Sequence, residues 1–179
     1  MNSDEATDLS ETQVNDSDRQ ISVIMPVYNG AEFIPQSLPP LVEMMHRGEI
    51  LEVIVVDDGS TDGSKQMAES MGAKVLSSGG RLGPGGARNQ AANSALGDIL
   101  WFVDADVVVH SDAARRLGIG FDVEQIVAVF GSYDSNPAAR NFFSQYKNLV
   151  HHYYHNRAKD EAQTFWSGCG AVKRAAFLS

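Results

Sequence analysis

The order of segments in this sequence predicts an α/β fold with a mainly parallel central sheet flanked by helices, and three observations carry that expectation. Short apolar runs at 21–27, 53–56 and 99–103 have the length of buried strands and fall far short of a membrane span. Segments with helical apolar spacing separate them, a β-α-β rhythm that right-handed crossovers turn into parallel pairing. Two of the runs end in acidic pairs, Asp57-Asp58 and Asp104-Ala105-Asp106, and the C-terminal edge of an open parallel sheet is where such folds hold ligands. Side chains two apart on extended backbone project to one side, so Asp104 and Asp106 can reach one cation.

The chain has 179 residues, enough for one domain with a full core, and an ordinary apolar fraction of 43%. Its formal charge of −9 argues against a nucleic-acid surface, which needs clustered Lys and Arg. Much of that charge is local: residues 1–20 carry six acids against the single base Arg19, with no aromatic residue. Such a segment cannot bury enough apolar surface to offset its ordering entropy, so 1–20 is expected to be a disordered acidic tail and 21–179 the folded domain. The tail lacks the basic start and apolar stretch of a signal peptide. One cysteine, Cys169, excludes an internal disulfide and fits a reducing compartment. No run approaches the roughly 20 apolar residues that a spanning helix needs.

Taken in order, residues 21–27 form a first strand, with Pro26 tolerated because the strand is ending. Tyr28-Asn29-Gly30 turns the chain into a helical pattern through Phe33, Ile34, Leu38, Leu41, Val42 and Met45. Pro35, Pro39 and Pro40 interrupt that pattern and predict a kink or restart near Ser37, with the end near Gly48. The second strand, 52–56, delivers Asp57-Asp58-Gly59-Ser60-Thr61-Asp62, where Ser60 or Thr61 can cap the next helix. Residues 74–77 make a short third strand. Five glycines among residues 78–86 let the backbone approach a ligand, but no dinucleotide fingerprint results, because Arg88 stands where the third glycine belongs. A helix is expected over 87–96, with Arg88 in its first turn; a cation there opposes the helix dipole, which favours a ligand role for Arg88.

After the central strand the pattern predicts a helix near 112–118, a strand over 126–130 and an aromatic-rich amphipathic helix over 138–154. His151 and His155 have a zinc-compatible spacing, but no third ligand completes a site, and a packed or exposed helix face is the favoured reading. Residues 165–171 read as a strand or tight loop on the crevice side. Cys169 has no nucleophile's partner nearby and reads as a small packed side chain.

Pro26-Val27-Tyr28-Asn29, Asp57-Asp58-Gly59-Ser60-Thr61-Asp62, Gly85-Gly86-Ala87-Arg88-Asn89 and Asp104-Ala105-Asp106 follow one another at separations that resemble family 2 glycosyltransferases of the GT-A fold. The stretch 166–174 looks like a later segment of that family which lines the acceptor side. The resemblance implies a substrate-binding set of Pro26, Tyr28, Glu32, Asp57, Asp58, Arg81, Arg88 and Asp104. In it Tyr28 stacks on or flanks the nucleobase, Asp58 accepts the base's imide hydrogen with Asp57 nearby, and Glu32 faces the nucleotide. Arg88 or Arg81 approaches base or phosphate, Asp104 faces ribose and metal, and Asp106 binds the ion directly. Hard oxygen ligands together with substrate phosphates are how Mg²⁺ or Mn²⁺ is held.

The implied activity is inverting, metal-dependent transfer of a sugar from a nucleotide diphosphate sugar to an acceptor hydroxyl. The acceptor is open: polysaccharide, glycolipid and polyprenyl-linked molecules all fit. The family's general base lies in a later acidic motif, so the sequence is expected to be incomplete, with the base after Ser179. The expected location is cytoplasmic, at the inner face of the membrane should the full-length protein continue into a membrane segment. Two alternatives stand beside this reading: a module that holds a nucleotide sugar without turnover, and a sugar nucleotidyltransferase. The second calls for a glycine-rich, lysine-containing signature near the N-terminus, which residues 25–30 lack.

Overall fold

The computed structural model of the chain describes residues 20–132 and 165–179. The expected tail, the helix over 138–154 and the His151/His155 pair therefore lie outside the described residues, apart from Gln20. The elements are β1 (Ile21–Val27), α1 (Ile34–His46), β2 (Glu52–Asp57), α2 (Ser64–Ser70), β3 (Lys74–Ser77), α3 (Gly83–Ser94), β4 (Ile99–Val103), α4 (Ala113–Gly120), β5 (Ala128–Phe130), β6 (Cys169–Lys173) and a last helical turn, α5 (Arg174–Phe177).

The strands form one sheet in the order β3-β2-β1-β4-β6-β5. The first four are parallel, and β6 runs antiparallel to both β4 and β5. Alternation along the strands divides the core. Val23, Met25, Val53, Val55, Trp101 and Val103 pack on one face with α1, α2 and α4. Ile24, Ile54, Val56, Leu100 and Phe102 pack on the other against the alanines of α3. The small residues Ala87, Ala91 and Ala92, all fully buried, let α3 sit close on the sheet. A sheet covered on both faces is what continuous apolar strands require.

α1 is one helix from Ile34, and the expected restart at Ser37 does not occur. Pro35 sits in the first turn, where a missing N–H is harmless. Pro39 and Pro40 free the carbonyls of Pro35 and Gln36, and both of those residues are exposed, so water can satisfy them. α2 begins at Ser64 behind Gly63, and the Ser64 amide donates to Asp62 Oδ1 at 3.0 Å. Neither Ser60 nor Thr61 caps it, because both are engaged with Asn29 across the loop. α3 begins at Gly83, four residues before the expected start. The last strand before the undescribed segment starts at Ala128, two residues later than expected.

At the N-terminal edge of the sheet, Glu52 binds three elements together. Its Oε1 accepts from the Ser22 hydroxyl and the Leu96 amide, both at 2.8 Å, and its Oε2 accepts from Lys74 Nζ at 3.0 Å. Gly97 is required beside it, since a Cβ there would lie 2.5 Å from the Gln20 carbonyl oxygen. This edge is held by polar contacts, and the opposite edge is left open.

Candidate active site

Parallel register brings the ends of β1, β2 and β4 to one edge. Val27 pairs with Asp57, and Ile24 with Phe102, so Tyr28, Asp58 and Asp104 all follow their strands at that edge. The ladder between β1 and β4 stops at Ile24, two residues before Pro26, which has no N–H with which to extend it. β4 is held to its end by β6 instead, through Val103 opposite Cys169 and the Asp104 amide on the Gly168 carbonyl at 2.9 Å. An open cavity of about 270 Å³ occupies the resulting gap. Pro26, Tyr28 and Gly30 line it from β1 and its turn, Pro84 and Arg88 from α3, and Asp104 and Asp106 from the end of β4.

The cavity is organised by an ion pair. Arg88 Nη2 donates to Asp104 Oδ1, with the arginine side chain only 12% exposed and the aspartate 38%. Arg88 Nε is buried and has no acceptor among the described residues. A buried donor without an acceptor is costly, so an anion brought to this arginine finds a donor ready for it. Arg88 lies in the second turn of α3, not the first, and its position is explained by Asp104 rather than by the helix dipole. Asp106 is exposed in the cavity.

Not every expected residue faces the cavity. Asp57 and Asp58 are 6% and 5% exposed, and neither belongs to the lining. Asp57 accepts the Ser60 amide at 3.2 Å and shapes its loop. Asp58 points to the glycine-rich loop, where its two oxygens accept the amides of Leu82 at 2.8 Å and Gly83 at 2.9 Å. Burial pushes the Asp58 carboxyl up, but hydrogen bonds from Ser78, Leu82 and Gly83 and the Arg81 charge together hold it below the usual carboxylate range. Arg81 lies outside the lining but covers the Tyr28 ring, its guanidinium carbon 3.8 Å from the ring centroid. Glu32 is exposed and does not line the cavity. Burial also pushes the Cys169 thiol up, with the Asp104 charge adding to the effect, so Cys169 is a packed thiol beside the site and not an activated nucleophile.

The structure brings further residues to the site. Asn29, Phe33 and Ala105 join the lining. Trp166 packs so closely on Gly168 that a Cβ there would lie 2.8 Å from the indole ring and 3.2 Å from Asp104 Oδ2. An aromatic residue just before a strand that pairs with the acidic strand was the available signal, but it needed the antiparallel β4–β6 pairing to be interpreted.

A parallel sheet extended by an antiparallel strand beyond β4 and covered by helices is a fold of the GT-A type, and solved glycosyltransferases of that fold resemble the chain. The chain resembles a mannosyltransferase from Pyrobaculum calidifontis in complex with GDP-Man and Mn²⁺, with a TM-score of 0.66 and 25% identity over 89% of this chain and 46% of that one. It also resembles glucosyl-3-phosphoglycerate synthase of Mycobacterium tuberculosis in complex with Mn²⁺, UDP and glucosyl-3-phosphoglycerate, with a TM-score of 0.64 and 26% identity over 89% and 58% of the two chains. The model of glycosyl transferase family 2 matches residues 22–178, and the chain belongs to that family. A curated relative is the poly(ribitol-phosphate) beta-glucosyltransferase of Bacillus spizizenii, 36% identical over 106 residues, which make up 54% of this chain and 16% of that protein. The chain spans less than half the length of the curated relatives it matches.

Proposed function

We propose that this chain is the donor-binding domain of an inverting glycosyltransferase that moves a sugar from a nucleotide diphosphate sugar to an acceptor hydroxyl. Membership of glycosyl transferase family 2 supports glycosyl transfer as the general role. The observation that carries the finer reading is the convergence of an exposed aromatic ring, a buried arginine and two carboxylates on one cavity. In this reading residues 21–179 are the nucleotide-sugar-binding domain, Tyr28 flanks the base, and Pro26 walls the cavity. Asp58 serves the base side by fixing the glycine-rich loop, and Arg88 meets the diphosphate with its unpaired Nε. Asp57 and Glu32 are kept as nearby acids with supporting roles.

The donor set fits a hard divalent cation. Asp104 and Asp106 supply oxygen ligands from one cavity, and among the described residues no cluster of three or more His, Cys, Asp or Glu encloses an ion. Two carboxylates with room for phosphate oxygens and water suit Mg²⁺ or Mn²⁺ better than a closed protein cage would. Asp104 and Asp106 would hold the ion; when bound, it supplies Lewis-acid stabilisation of charge on the departing diphosphate.

In the reaction the acceptor oxygen forms a bond to the sugar's anomeric carbon as the bond from that carbon to the diphosphate breaks. The acceptor proton leaves to a base. Among the described residues the acidic groups of the cavity are Asp104 and Asp106, both used for the ion, so the base is sought elsewhere. Among those same residues no helix is long and apolar enough to cross a membrane. The test is calorimetry of the 179-residue chain with UDP, GDP and their sugars, with and without Mn²⁺. Binding of at least one of them, strengthened by the ion, is the expected result; no binding of any of them refutes the assignment.

A further inference from the structure

The motifs Tyr28-Asn29-Gly30 and Ser60-Thr61-Asp62 are only partly used by the reading above, and the structure joins them. The Asn29 amide donates to Ser60 Oγ at 3.0 Å, and Asn29 Oδ1 accepts the Thr61 amide at 2.8 Å. The Ala31 amide donates to Asp62 Oδ2 at 2.9 Å. The buried Gly30 amide donates to Ser64 Oγ at 2.9 Å, and the Ser64 hydroxyl in turn donates to Asp62 Oδ1. Asp62 thus orients the hydroxyl so that its lone pair meets Gly30. Three successive amides of one turn are therefore bound by the loop that leaves β2 and by the first residue of α2.

The same turn faces the other acidic motif across a space the size of a methyl group. A Cβ added to Gly30 would lie 3.7 Å from the Ala105 Cβ, between the two carboxylates of Asp104-Ala105-Asp106, and 3.2 Å from Val27 Cγ1. Asn29 takes a left-handed backbone, φ 49°, which Asn accepts more readily than most residues. In that conformation it presents its backbone amide and its side-chain oxygen to the Ser60-Thr61 loop together. Tyr28, 42% exposed, stands on a turn clamped on one side by the β2–α2 loop and lining, on the other, the same cavity as the Asp104–Asp106 segment.

We infer that Asn29 and Asp62 are positioning residues, which hold the Tyr28–Gly30 turn as a rigid spacer between the base side and the ion side of the site. The inference rests on the nucleotide-sugar reading above. In it neither residue touches the nucleotide; each acts by setting where Tyr28 stands relative to Asp104 and Asp106. A donor that spans both sides needs that separation to be preset, because misplacement by about 1 Å is enough to forfeit much of the benefit of orientation.

The test compares four variants of the 179-residue chain by calorimetry with UDP or GDP in the presence of Mn²⁺, alongside thermal unfolding. Asn29→Gly keeps the backbone permissive and deletes the acceptor; it is expected to weaken binding by about tenfold, the factor carried by one well-placed hydrogen bond. Asn29→Asp restores an acceptor for the Thr61 amide and is expected to recover most of the affinity. Asp62→Asn leaves one acceptor oxygen for the Ala31 and Ser64 donors that the carboxylate serves with two, is expected to behave like Asn29→Gly, and replaces it should that variant fail to fold. Glu52→Gln lowers stability at the opposite edge of the sheet and is expected to leave nucleotide affinity unchanged. Wild-type affinity in both Asn29→Gly and Asp62→Asn overturns the inference, as does equal weakening by Glu52→Gln at a matched loss of melting temperature. Absence of nucleotide binding in the folded wild-type chain overturns the functional reading and the inference with it, an outcome distinct from the other two.

Discussion

The Arg81 guanidinium lies over the Tyr28 ring, its central carbon 3.8 Å from the ring centroid. A cation on one face of an aromatic ring is attracted by the ring's quadrupole, so this contact holds the glycine-rich loop against the β1 turn. If the ring also serves a nucleobase, its aromatic surface matters and its hydroxyl does not. Tyr28→Phe is expected to bind nucleotide diphosphate as the parent does. Tyr28→Ala is expected to lose about tenfold or more, in line with stacking worth about 1–3 kcal/mol per base. Calorimetry on the two variants separates these outcomes, and equal loss in both would place the hydroxyl, not the ring, at the ligand.

Arg88 and Asp104 make the second expectation concrete. Asp104, proposed as an ion ligand, is already paired with a buried arginine, so a cation arriving alone would compete with Arg88, whereas one arriving with a diphosphate would bring an anion for that arginine. Nucleotide diphosphate affinity is therefore expected to fall on chelation. Asp106→Ala is expected to abolish the difference between metal-containing and metal-free titrations. Equal binding with and without Mn²⁺ in the wild-type chain would remove Asp104 and Asp106 from the ion-binding role.

A third expectation concerns pH. The Asp58 carboxyl is held below the usual carboxylate range by the amides it accepts, so its folded-state pKa lies below its unfolded value. The stabilisation is then fully present above the ordinary carboxylate pKa of about 4 and is lost as pH falls through the lower folded value. Glu52 and Asp62 are shifted in the same direction and add to the trend. Thermal melting followed from pH 6 down to about pH 3 should show a decline that is shallower in Asp58→Asn, whose side chain does not titrate. A parallel decline in both proteins would show that the Asp58 contacts contribute nothing to acid sensitivity.

The fourth expectation is donor binding with little transfer. With Asp104 and Asp106 proposed as ion ligands, the described lining offers no further carboxylate for the acceptor proton, and such help is typically worth about 10² to 10⁴-fold in rate. The 179-residue chain is expected to bind a nucleotide sugar and to hydrolyse it slowly. Efficient ion-dependent transfer to an added acceptor would locate the base within residues 1–179, with Asp134 and Asp160, which lie outside the described residues, as the first candidates for substitution.

The sequence by itself determined the layers of this protein and the edge at which its site lies. Residues 21–27, 52–57 and 99–103 carry apolar side chains on both faces, which only a strand covered on both sides tolerates, and the acids that follow them must then gather at one edge. Motif order was legible for the same reason, because Tyr28, Asp57-Asp58 and Asp104-Asp106 each sit at or immediately after the end of a strand. Tertiary structure decided what each acid touches. Gly83-Pro84-Gly85-Gly86 reads locally as loop, and helix was expected only from residue 87; yet α3 starts at Gly83, because the Asp58 carboxylate, 25 residues earlier, accepts the amides of Leu82 and Gly83 at its N-terminus. Ser60 and Thr61 read locally as helix caps, but they bind Asn29 across the loop, and it is Asp62 Oδ1 that accepts the first amide of α2, that of Ser64. Apolar spacing is a property of a segment, whereas a hydrogen-bonding side chain takes the best-placed partner that the folded chain brings to it, and that choice is made only when β1, β2 and β4 stand side by side.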